Sequence, residues 1–139
     1  MEQRNTTWLI DDNELDNFLN ERVITLNKFS DNVVVFNSAR KAFEALEEII
    51  RIGENFPNYI FLDLNMPEMD GWEFLECYHQ LPDELKHNCK LFMLSSSFNI
   101  GDIDRSKEQE DVRNFISKPL SAEDLFAIKD WGQDFASAL

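Results

Sequence analysis

Cysteine, glycine, proline and basic side chains are all scarce in this 139-residue chain, and each scarcity removes a class of protein. The two cysteines, Cys77 and Cys89, show neither a metal-ligand spacing nor a disulfide framework, which fits isolated thiols in a reducing compartment. No Pro-, Gly- or Ser-rich stretch, repeat or shift in composition marks a linker, and the length is that of one domain. Lys and Arg number 13 against 27 Asp and Glu, giving a net charge of −14. Such a chain is repelled by nucleic-acid phosphates and anionic lipid, so direct binding to either is not expected. Most of the acidity reads as a solubilising surface, and a smaller share as carboxylates gathered at one site. No apolar run approaches membrane-span length, and the polar segment 1–7 is no signal peptide. A soluble, cytoplasmic protein is expected.

What is present suffices for a core. Apolar residues make up 43% of the chain, and a domain of this size buries about two-thirds of its unfolded surface without a disulfide or metal staple. Short apolar runs alternate with longer periodic segments. Trp8 to Ile10, Val33 to Phe36, Tyr59 to Leu64, Leu91 to Leu94 and Asn114 to Ser117 read as strands. Between them lie helical spacings: Leu15, Phe18, Leu19, Val23 and Leu26; then Ala39 to Ile50, stopped near Gly53; then Trp72 to Tyr78, ended by Pro82. The polar segment from Asn99 to Arg113 is the weakest helix, with only Ile100, Ile103 and Val112 to bury. A last helix carries Leu125, Phe126, Ile128 and Phe135, with Ser121 and Asp124 spaced as a capping box. Five strands and five helices in strict alternation predict an α/β fold, a parallel sheet with helices on both faces.

Ligands of open α/β sheets bind beyond the carboxyl ends of the strands. Asp11 and Asp12 follow the first strand, and Asp63 and Asn65 the third. Ser95, Ser96 and Ser97 follow the fourth, and Lys118 and Pro119 the fifth. Taken singly, each has a plain explanation: a helix N-cap for Asp12, a turn for the serines, a surface charge for Lys118. Asp63 differs, because an acid ending the run Tyr-Ile-Phe-Leu loses solvation unless something compensates it. Chance coincidence at all four strand ends is far less probable than any one of these plain explanations, so the functional reading is preferred. Clustered carboxylates invite a hard divalent cation such as Mg²⁺. A carboxylate can also attack phosphorus to give an aspartyl phosphate, with a lysine and a serine hydroxyl steadying the phosphoryl oxygens.

The stretch DLNMPEMDG from Asp63 to Gly71 resembles the phosphorylation-site signature of response-regulator receiver domains, and the likeness runs from the Asp11–Asp12 pair to Lys118–Pro119 and the closing helix. The resemblance implies the CheY-like, doubly wound fold with strand order 2-1-3-4-5. It implies that Asp63 is the phosphoacceptor. Asp12, Asp63 and the backbone carbonyl of Asn65 would hold Mg²⁺, with Asp11 acting through water and Mn²⁺ able to substitute. Lys118 and Ser95 would contact the phosphoryl group, and Ser95 and Phe115 would form the switch pair. Pro119 would follow a cis peptide, and Ser96 stands where Ala or Gly is common.

The donor would be a histidine kinase or phosphotransfer protein, and the signal would leave through an unknown target protein. The switch would catalyse only its own phosphorylation and slow dephosphorylation, as a monomer or a phosphorylation-promoted dimer. With no output domain expected within residues 1–139, a stand-alone switch and a relay intermediate look alike. A haloacid-dehalogenase-like phosphatase is disfavoured, because its nucleophile lies on the first strand with a second acid two residues on, where Asn65 stands here. A pseudo-receiver is disfavoured because the acids and the lysine are all present.

Overall fold

A computed structural model of the chain describes residues 5–96 and 99–129. In chain order the described elements are β1 (Thr6–Ile10), α1 (Glu14–Leu26), β2 (Asn32–Phe36), α2 (Ala39–Ile52), β3 (Tyr59–Leu62), α3 (Gly71–His79), α4 (Asp83–Lys86), β4 (Lys90–Ser95), α5 (Ile100–Lys107), β5 (Val112–Ser117) and α6 (122–129). All four strand pairings are parallel, and the sheet order is β2-β1-β3-β4-β5.

Alternate residues of the central strands feed two apolar layers, as the period of two requires. Trp8, Ile10, Ile60, Leu62, Leu91 and Met93 face α2 and α3, where Ala42, Leu46, Phe74 and Leu75 complete one core. Leu9, Phe61, Phe92 and Leu94 face the opposite way, against Ile24 of α1 and Leu125 and Ile128 of α6. The edge strand β2 is the exception. It was expected to be covered on both faces, yet Val35 is 39% exposed because only β1 and part of α1 and α2 flank it.

Most boundaries follow from local chemistry. Ser38 caps α2, accepting from the Lys41 backbone N–H, and Gly53 ends the helix at φ 76°, a conformation glycine adopts without strain. Ser121 and Asp124 do form a reciprocal capping pair. The sixth helix, α4, was not expected. Pro82 starts it, and Lys86, although only 7% exposed, donates to the carbonyl of His79 at 2.9 Å and to Asp111 at 3.2 Å. The fifth strand begins two residues earlier than its apolar run suggested, at Val112.

The segment before β5 folds as α5, opened by an Asn99–Asp102 capping box, but Ile100 is 79% exposed and Ser106 is its only fully buried residue. Its contact with α3 is a guanidinium over a ring, Arg105 at 4.4 Å from the centre of Trp72.

Helix α1 turns the opposite way from its apolar pattern. Leu15, Phe18 and Leu26 are each 60% exposed or more, and Leu19 is 41% exposed, whereas Asn17 and Asn20 are buried beside Ile24. Asn17 donates to the backbone carbonyl of Asp11 at 2.8 Å, and Asn20 accepts from the backbone N–H of Leu120 at 3.2 Å. One fully buried isoleucine supplies about 2 kcal/mol, and each such hydrogen bond about 1 kcal/mol. The helix is therefore held by polar ties to two loops as much as by burial. Phe126, expected in the core, is 74% exposed on α6, and Phe135 lies outside the described residues.

Candidate functional site

Ladder hydrogen bonds run one residue past the strands and fix the site. The backbone N–H of Asp11 donates to Phe36 O at 3.0 Å, that of Asp63 to Ile10 O at 2.9 Å, and that of Lys118 to Ser95 O at 2.8 Å. Asp11, Asp63 and Lys118 are thereby brought to one edge from β1, β3 and β5. Beyond Asp63 the chain folds back through Glu68, at φ 67°, until the Gly71 N–H donates to Leu64 O at 2.9 Å. Leu64 and Met66 anchor this loop in the core, leaving Asn65 exposed. The Lys118–Pro119 peptide is cis.

Carboxylate oxygens of Asp11, Asp12 and Asp63 lie within 4.8 Å of one another. Asp11 and Asp63 are buried and Asp12 is exposed. The Lys118 ammonium, on a side chain only 8% exposed, pairs closely with Asp11, lies 2.9 Å from Asp16 and stands 3.5 Å from Asp63. Three carboxylates thus surround one ammonium among the described residues, with Asp12 a fourth acid in the group, and the excess negative charge with hard oxygen donors fits a divalent cation.

The charges act on one another. Burial pushes the Asp63 carboxyl up to about 6, the Asp11 and Asp12 charges push the same way, and Lys118 opposes them. Burial acts to lower Lys118, but its hydrogen bonds to Asp11 and Asp16 and the charge of Asp63 outweigh that and hold it up to about 12.

Ser95 ends β4 fully buried, Ser96 is exposed just after it, and Phe115 is half-buried on β5 against the core that contains Met93. The site residues chosen from the sequence therefore gather at one edge, with Phe115 lower on the neighbouring strand. Asp16 was missed. The signal was available: it stands four residues after Asp12, one helical turn into α1, behind an Asn13 cap that accepts from its N–H at 3.0 Å.

Comparison with known proteins fits this edge. The model of the response regulator receiver domain family matches residues 8–129. The chain belongs to that family. The receiver is 31% identical to Response regulator Rcp1 of Synechocystis over 120 residues, 85% of this chain and 79% of Rcp1. A two-component response regulator from Cytophaga hutchinsonii superposes with a TM-score of 0.85 at 28% identity, over 96% of the receiver and 99% of that chain. The Mn²⁺-bound form of Rcp1 superposes at 0.71 with 27% identity, over 94% and 93% of the two chains. Receivers are signalling switches of two-component systems, and the acidic cluster here is consistent with a divalent metal. Among the described residues of the receiver, no helix is long and apolar enough to cross a membrane.

Proposed function

We propose that Asp63 accepts a phosphoryl group from a phosphohistidine on a histidine kinase or phosphotransfer protein, and that residues 1–139 act as one cytoplasmic receiver domain. The observation that carries the reading is the buried Asp63 carboxylate, grouped with Asp11 and Asp12 and facing the Lys118 ammonium at 3.5 Å. An Asp63 oxygen bonds to phosphorus while the phosphorus–nitrogen bond of the donor breaks, returning the imidazole. Lys118 and the Ser95 hydroxyl take the phosphoryl oxygens as partners. Asp12, Asp63 and the Asn65 carbonyl would hold Mg²⁺, with Asp11 acting through water, and the ion would neutralise charge on the transferring group. Mn²⁺ can replace it.

The modification adds negative charge at the sheet edge. Ser95 moves toward it and the half-buried Phe115 turns further inward, shifting α5 and the surface read by a target protein. Sparse burial along α5 keeps that rearrangement inexpensive.

The test is incubation with acetyl phosphate and Mg²⁺, followed by intact-mass measurement and peptide mapping. One added phosphoryl group, on the peptide containing Asp63, is expected. No added mass, or a group carried elsewhere, rules the reading out.

The outward stripe of α1 (Leu15, Phe18 and Leu19) continues from the same first turn that carries Asp16, so it is where a docked donor protein rests. Phe18→Ser is expected to slow transfer from a phosphorylated donor about tenfold more than transfer from acetyl phosphate. Equal slowing of both transfers would place the donor on another face.

A further inference from the structure

We propose that Asp16 is a positioning residue that holds the Lys118 ammonium over the phosphoacceptor. The inference rests on the reading of Asp63 as that acceptor and adds a residue to it. A lysine ammonium has three N–H donors, and here three carboxylates surround it: Asp11 in close contact, Asp16 at 2.9 Å and Asp63 at 3.5 Å. Two of these also belong to the Asp11–Asp12–Asp63 group that suits a cation. Asp16 stands outside that group. When Asp63 carries a phosphoryl group and the cluster is engaged, Asp16 is the acid left to fix one N–H while the others reach the phosphoryl oxygens.

The helix that carries Asp16 is built for this. Its inward residues are Asn17, tied to the Asp11 carbonyl, and Asn20, tied to the Leu120 N–H just after Lys118 and Pro119. Asp16, Asn17 and Asn20 thus join α1 to both loops that bring the lysine and Asp11 together. The Asn13 cap fixes the register of that turn. Lysine needs such an anchor, because its four-carbon stem leaves the charge free to swing.

An acid in the first turn also favours the helix N-terminus, so the test must separate support of the helix from positioning of the lysine. With acetyl phosphate and Mg²⁺, Asp16→Asn is expected to slow labelling about fivefold, with Asp16→Glu restoring most of the rate. In a Lys118→Ala background, Asp16→Asn is expected to change nothing further. Equal slowing in both backgrounds, or none in the wild type, overturns the proposal.

A second readout needs no phosphoryl chemistry. The Lys118 side-chain ¹⁵N resonance, assigned by its loss in Lys118→Ala, is expected to be protected from exchange in the wild type and in Asp16→Glu, and to vanish in Asp16→Asn. Its absence from the wild type, or its survival in Asp16→Asn, also overturns the proposal. A wild type that shows the resonance but takes no label refutes the Asp63 reading and leaves the lysine's anchor standing.

Discussion

Asp63→Asn is expected to abolish phosphoryl uptake and to make the metal-free protein more stable. The first effect follows because an amide oxygen is no nucleophile toward phosphorus. The second comes from what holds the Asp63 carboxyl at about 6: burial first, then the charges of Asp11 and Asp12, against the opposing pull of Lys118. The folded state binds the Asp63 proton more tightly than the unfolded chain does, so this group costs nothing below pH 4. Its cost grows as the pH rises through about 6 and is complete above that.

A shift of this size corresponds to on the order of 3 kcal/mol at neutral pH, or roughly 10 °C in melting temperature for a domain of this length. Thermal melts in chelator at pH 7.5 should show the gain, and melts at pH 4 should not. Added Mg²⁺ should then raise the wild type more than the variant, because the variant lacks one of the proposed ligands. A variant no more stable than wild type in chelator would mean that Asp63 is better compensated than its surroundings indicate.

Gly71→Ala is expected to cost about 3 kcal/mol, since overpacking against backbone cannot be relieved by a rotamer change. A Cβ at Gly71 would stand 2.6 Å from the Asp63 carbonyl oxygen and 2.9 Å from the Leu64 Cα. Both are main-chain atoms, so β3 must shift away from α3, carrying the Asp63 carboxylate with it. Urea denaturation should show a lower midpoint at unchanged slope, and acetyl phosphate labelling should slow.

Gly53→Ala is the control. Its Cβ would meet nothing within 4 Å, and only the positive φ resists it, at about 1 kcal/mol. It ends α2 before the start of β3, at the other end of that strand from Asp63, and should label at the wild-type rate. Matching losses at the two glycines would show that the close approach at Gly71 is absorbed elsewhere.

The sheet was readable from the sequence because its central strands are short, continuously apolar and followed at once by chemistry. Trp8–Ile10, Tyr59–Leu64 and Leu91–Leu94 read as covered strands; the third stops at Leu62, two residues short of that reading, and Asp11, Asp63 and Ser95 lie at the three ends. Helix α1 was readable as a helix and unreadable in its orientation. Apolar spacing points Leu15, Phe18 and Leu26 inward, but the inward face belongs to Asn17 and Asn20, whose hydrogen bonds join segments distant in the chain.

The same blindness hid Asp16, whose partner is 102 residues away. Helix α4 escaped because its organising contact, buried Lys86 with Asp111, is also long-range. Periodicity records what is buried in oil, and it is silent on polar groups buried in pairs.

The contact of Arg105 with Trp72 bears on how α5 can travel. A hydrogen bond has one good geometry and breaks when a helix slides by a fraction of a turn. A guanidinium lying on an indole face keeps most of its attraction anywhere over the ring, within about 6 Å of its centre. With Ile100 out in solvent and Ser106 its only fully buried residue, α5 has little else to release as it moves. In the proposed switch Trp72 would therefore act as a bearing under the helix, where a keyed contact would lock it in a single position.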